Sequence, residues 1–189
     1  MLAFSRLTSI LFFVLSLGLL TYALPTESKA LAARHTGQEL VDLVVGLRAH
    51  VEADVGVLAH ITAVADLSAS VDVLVGHVTT CAKAIAALGA NIEVEAAVKA
   101  NIAAEVAAIV IAIVQVCVSI VAKFGVLVVL TLLAKIDICL QLLLVNLGVC
   151  VGGLIQLVAA IVVKLGVSVF ASVHLGLCIN VLGLIGLSL

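Results

Sequence analysis

Tryptophan is absent from this 189-residue chain, and proline, methionine and tyrosine occur once each. Charge is scarce too: 11% of residues are Asp, Glu, Lys or Arg against 65% hydrophobic, and the mean hydropathy is +1.45. Each shortage excludes something. With no Trp and only Tyr22, the chain lacks the aromatic belt that marks the membrane–water boundary in integral proteins. Near absence of proline and of paired turn residues removes the punctuation that a many-stranded sandwich needs. There is no cluster of Lys or Arg, and the pI lies near 6.2. That leaves no electrostatic footprint for phosphate, so nucleic acid is not an expected partner. A Gly-rich phosphate loop, a Gly-x-Ser-x-Gly elbow and a CxxC pair are all missing, so no catalytic residue and no cofactor is expected. His35, His50, His60, His77 and His174 are scattered. His50 and His60, with Glu52 and Asp54 near them, read better as a solvated helix face than as a metal site.

What remains is an apolar excess that one soluble core of this size cannot hide. It must face lipid, another copy of the chain, or an air or wall surface. At the N-terminus, Met1 to Arg6 carries one positive charge, Leu7 to Leu20 is an uncharged and largely apolar core, and Thr21-Tyr22-Ala23 sets small residues where a signal peptidase reads. Residues 1–23 are therefore expected to be a signal peptide cleaved after Ala23. The competing reading, an uncleaved anchor helix, suffers from a short apolar core and from Pro25 directly behind it.

Beyond Ala23 the charges are unevenly spread. Between Leu24 and Glu105 acids outnumber bases two to one, whereas after Val106 only Lys123, Lys135, Asp137 and Lys164 are charged. Residues 24–36 read as a flexible polar leader. Residues 37–105 read as an acidic amphipathic helical region. Leu40, Val44, Leu47, Val51, Val55, Leu58 and Ile61 recur every three or four residues, predicting a first helix to about Asp66. Ser68 or Ser70 can cap a second helix across Val71 to Leu88, and Gly89-Ala90-Asn91 signals a stop before a third near Ile92. Residues 106–189 read as a hydrophobic helical region. The uncharged runs Ile138 to Val163 and Leu165 to Leu189 are each long enough to cross a bilayer, but Gln141, Asn146, Gln156, His174 and Asn180 interrupt them.

QVCVSIVAKFGVLV, from Gln115, aligns without gaps on QLVAAIVVKLGVSV, from Gln156, at an offset of 41 residues. The alignment marks Lys123 with Gly125, and Lys164 with Gly166, as paired helix breaks of a repeated hairpin. Chance similarity is the alternative in so biased a composition. Gly148 and Gly152 match the Gly-x-x-x-Gly spacing of close helix packing, although Gly152-Gly153 reads equally as a bend. Cys81, Cys117, Cys139, Cys150 and Cys178 are an odd set. They are candidates for disulfides or intermolecular thiols in an exported chain, or for small buried hydrophobes. The fold class expected is all-α: amphipathic helices followed by a very hydrophobic helical bundle or hairpin repeat. Strand-forming stretches such as Val126 to Leu130 keep amyloid-like assembly as a competing possibility.

The signal ending TYALP, the leader TESKALAAR, the half-polar, half-apolar plan and the few cysteines resemble small secreted proteins of mushroom-forming fungi. One such group comprises structural cell-wall and matrix proteins that support aerial growth and attachment where hydrophobins are missing. Hydrophobins themselves are similar only in apolarity, since their adjacent cysteine pairs are absent here. The resemblance implies a non-enzymatic, secreted structural amphiphile that self-associates or adsorbs at a wall, matrix or air–water boundary. The competing expectation is an integral membrane protein with two to four helical spans within 106–189, partnered by the lipid bilayer. A lipid-carrying bundle is a third reading without a dedicated signature.

Overall fold

The computed structural model of the chain describes residues 36–165 and 167–183. The expected signal peptide, nearly all of the polar leader, Gly166 and residues 184–189 lie outside them. Among the described residues the protein is all-α, with seven helices and no strand. We name them α1 (residues 36–60), α2 (Val64–Leu88), α3 (Ala96–Phe124), α4 (Val126–Cys150), α5 (Leu154–Val162), α6 (Val167–Ser172) and α7 (Gly176–Val181), with a 3-10 turn at Val163–Leu165.

The first four helices form two antiparallel hairpins laid side by side. In the first, Leu40, Val44, Leu47, Val51 and Leu58 of α1 bury one stripe, and Leu67, Val71, Leu74, Val78 and Ile85 of α2 meet it. In the second, a single residue, Gly125, separates α3 from α4. Its φ of 83° lies in the left-handed region that a side chain resists, so glycine is what permits so abrupt a reversal. The hairpins join through parallel neighbours. Asp72 and Ala82 of α2 bond Lys135 and Asn146 of α4 in the same order, and Arg48 of α1 bonds Glu105 of α3. Both reversals lie at one end, where the Lys123 ammonium donates to the Ile61 carbonyl. At the other end, the N–H groups of Asn91 and Ile92 donate to the carbonyls of Val149 and Cys150, at 3.0 and 2.7 Å. These two donors from the α2–α3 connection satisfy carbonyls that the end of α4 would otherwise leave open. Because α1 and α4 each pack against both α2 and α3, they stand at opposite corners.

The tail folds back on the second hairpin. After a turn at Gly152-Gly153, α5 runs along α3, α6 touches α3, and α7 lies on α4. One carboxylate holds α7 in place. Asp137, 5% exposed, accepts from the Leu177 and Cys178 N–H groups at 2.9 and 3.0 Å.

Several boundaries differ from expectation. The first helix stops at His60 rather than near Asp66, and the second starts at Val64 rather than after Ser68. The break carries no Gly or Pro; the Ile61 carbonyl it frees is taken by Lys123 from a distant helix. The third helix starts at Ala96, four residues beyond Ile92. Neither long uncharged run forms one span: Ile138 to Val163 is broken at residues 151–153, and the described part of Leu165 to Leu189 contains two six-residue helices. The composition change at Val106 falls inside continuous α3, and residues from both sides of it share one core.

Candidate interfacial surface

Helix α4 contains apolar residues all the way round, so its buried face is chosen by neighbours. Leu133, Ile136, Leu140, Leu143, Leu144 and Leu147 point into the core. The opposite face is left outside: Leu127, Thr131, Ala134, Ile138, Leu142, Val145 and Val149 are all exposed. Leu127 is 87% exposed, Ile138 58% and Val149 56%. Steps of three and four residues place these seven positions on one side of the helix over its whole length, about 33 Å. Only Thr131 among the seven is polar, and Val128 and Leu130 beside them are exposed as well; isolated exposed valines are ordinary on soluble proteins, but so nearly apolar a strip is not.

The strip is bordered by polar groups that are already engaged. On the α2 side, Lys135 meets Asp72 at 2.7 Å, and the Asn146 amide donates to the Ala82 carbonyl at 2.8 Å. On the other border, Gly148 lies under α5, where an added Cβ would come within 3.0 Å of Ile155 Cγ1. The opposite corner differs: α1 exposes Glu39, Asp42 and Glu52. There Arg48 bridges Glu52 and Glu105 at 2.8 and 2.7 Å, and His77 Nδ1 meets Asp54 at 2.7 Å. Hydrogen bonding to Glu105 raises the Arg48 pKa further above its usual value, with Glu52 adding to it.

The other sites suggested by the sequence are dispersed. Lys123 lies in the last turn of α3, Gly125 separates α3 from α4, and Lys164 lies in the 3-10 turn, with its partner Gly166 outside the described residues. Gly148 is in the last turn of α4, and Gly152 lies beyond it, its carbonyl accepting from the Lys99 ammonium. All five cysteines are buried free thiols, with no disulfide among them, which is the small-hydrophobe alternative of the two left open by the sequence. Burial pushes Cys117 and Cys139 up to about 12 and Cys81 up to about 11, and it also raises Cys150 and Cys178. Such thiols stay protonated near neutrality and are poor nucleophiles. Asp137, which anchors α7, went unremarked as a site; a lone acid inside an apolar run was the available signal.

No family model and no curated protein matches this chain. Any function must therefore be argued from the geometry.

A cavity of about 270 Å³ between α1 and α2 is lined in part by Asp42, His50, His77, Thr80 and Cys81. His50 and His77 stack there with centroids 4.7 Å apart and planes 18° from parallel. Lone pairs lie in the ring planes, so nearly parallel stacked rings do not converge on one ion. Among the described residues no group of three or more His, Cys, Asp or Glu is arranged to hold a metal.

Proposed function

We propose that this protein is a secreted structural amphiphile that adsorbs to a hydrophobic boundary, such as a wall, matrix or air–water surface, through the outer face of α4. The carrying observation is the contrast between that face and the acidic corner diagonally opposite it. Fully burying one aliphatic side chain is worth about 1.5–3 kcal/mol, so covering the partly exposed residues of this strip yields on the order of 6–10 kcal/mol. With the strip against the boundary, α1 keeps Glu39, Asp42 and Glu52 in water. The apparent signal peptide agrees with this reading, as does the resemblance to secreted wall and matrix proteins.

One observation favours integral membrane residence instead: Val64–Ala87, Ala96–Phe124 and Val126–Cys150 are long and apolar enough to cross a bilayer. Two features weigh against it. The Asp72–Lys135 pair sits near the middle of α2 and α4 with side chains 54% and 46% exposed; a charge at mid-membrane costs about 2.5–3.5 kcal/mol even on the most lenient scale. The acidic face of α1 would likewise border hydrocarbon.

Fractionation of an expressing culture separates the readings. Recovery from the medium or from hot-detergent wall extracts is the expected result. Retention in carbonate-washed membranes, with detergent needed at every later step, overturns it.

A further inference from the structure

The cavity between α1 and α2 lies at the acidic corner, and adsorption through α4 leaves it open to water. Two contacts fix how it runs. The Cys81 thiol donates to the Leu43 carbonyl at 3.5 Å, and the His77 ring stacks on that of His50. The cavity therefore follows the hairpin from an acid end, with Asp42 and Ala84, to an imidazole end, about 12 Å further along α1.

Between those ends the lining is apolar, with Leu43, Leu47, Cys81 and Ala84 as its walls. Gly46 keeps it open: a Cβ there would meet nothing within 4 Å, so no neighbour demands glycine in a helix interior that glycine weakens. Asp42 is the one carboxylate of the described lining. The Gln38 amide donates to its Oδ1 at 3.0 Å, which leaves Oδ2 for a further donor. The Thr80 hydroxyl, also in the lining, makes no hydrogen bond among the described residues. A narrow apolar cavity with a few acceptors gathered at one end is the usual form of a small-ligand site.

We propose that this cavity binds a short primary alkylamine, its ammonium group held by Asp42 and Thr80 and its chain laid along Leu43, Gly46 and Leu47 toward the stacked imidazoles. Charge selects the head group. An ammonium donates to the open carboxylate oxygen in a charge-assisted bond, whereas a carboxylate would oppose Asp42 and finds His77 Nδ1 already engaged by Asp54 at 2.7 Å. An alcohol would leave the charge unanswered. Shape selects the tail: a volume of about 270 Å³ drawn out over about 12 Å is one chain wide and excludes fused rings. Binding here is independent of adsorption, because it uses the corner that the adsorbed protein keeps in water.

Hexylamine, hexanol and hexanoate share a chain length and differ in charge, so calorimetric titration of each into protein purified from an expressing culture tests the site. Hexylamine should bind one to one and about fivefold tighter than hexanol, the worth of a partly exposed ion pair, with hexanoate weakest. Asp42→Asn should bring the amine down to the affinity of the alcohol and leave the alcohol unchanged. Gly46→Leu should abolish both; if that variant fails to fold, the surface change Asp42→Asn still decides. Cys81 lines the cavity and is 8% exposed, against 3% or less for the other four cysteines. Hexylamine should therefore slow iodoacetamide alkylation of Cys81 and of no other cysteine. Hexylamine binding no better than hexanol, an amine preference that survives Asp42→Asn, or Cys81 alkylation that ignores the ligand overturns the proposal. A protein that takes up hexylamine but does not adsorb sinks only the function proposed above; one that adsorbs but ignores hexylamine sinks only the amine site.

Discussion

The outer faces of α1 and α4 stand at opposite corners of one bundle, yet they are finished differently. On α1 the inward stripe is apolar and the outward side mixes Glu39, Asp42 and Glu52 with Val45 and Val57. Helix α4 is apolar on both sides, and its charged residues sit at the margin, as Lys135 does, or inside, as Asp137 does. A helix that needs only to pack has no use for a second apolar face. The difference locates the amphiphilic character across the bundle rather than along the chain, although composition alone suggests a division near Val106.

Three changes should sharpen this contrast, in descending order of effect. High pH should act most strongly, and chiefly on the α4 side. The Cys117 and Cys139 thiols have folded-state values near 12 against an ordinary value of 9.0. Below pH 9 both folded and unfolded chains keep these protons, and the stabilisation is fully present. Between about 9 and 12 the unfolded chain ionises first, so stability falls by up to about 1.4 kcal/mol per thiol per pH unit. Thermal melts from pH 8 to 11 on the protein and on the Cys117→Ala, Cys139→Ala variant should show a shallower decline in the variant. An equal decline in both would remove these thiols as the cause.

Next, Asp137→Ala strips α7 of its anchor, leaving the Leu177 and Cys178 N–H groups without their acceptor. The expected cost is about 2–4 kcal/mol, summed over two lost bonds and one buried carboxylate, and it should be read by urea denaturation. Asp137→Asn, which keeps one acceptor oxygen, should recover part of it. Smallest is Arg48→Ala on the α1 side. Arg48 itself faces solvent, so only a small loss, shrinking further in high salt, is expected in the same assay.

How far these features could be read beforehand varies along the chain. The α1 stripe from Leu40 to Leu58 was plain because polar residues interrupt it at a helical period. The stop after Leu88 was equally plain in Gly89, whose φ of 103° needs glycine. The break at residues 61–63 was not, because no Gly or Pro marks it and its carbonyl partner, Lys123, comes from another hairpin. In α4 periodicity fails altogether: with Leu, Val or Ile on every face, nothing local says which will be covered. Which face of α4 stays outside is settled only once α2, α3, α5 and α7 have claimed the others. The cysteines allowed bridging or burial, and the packing of their helices keeps all five as free thiols.

The most direct measurement compares the two corners at an air–water film balance. Ile138→Asp combined with Leu142→Asp should cut the surface pressure developed by the protein at least tenfold, at matched concentration and with helicity unchanged. Val45→Asp combined with Val57→Asp on α1 should leave it close to that of the unaltered chain. Equal loss from both pairs, or no loss from the α4 pair, would contradict the claim that this protein works through the outer face of α4.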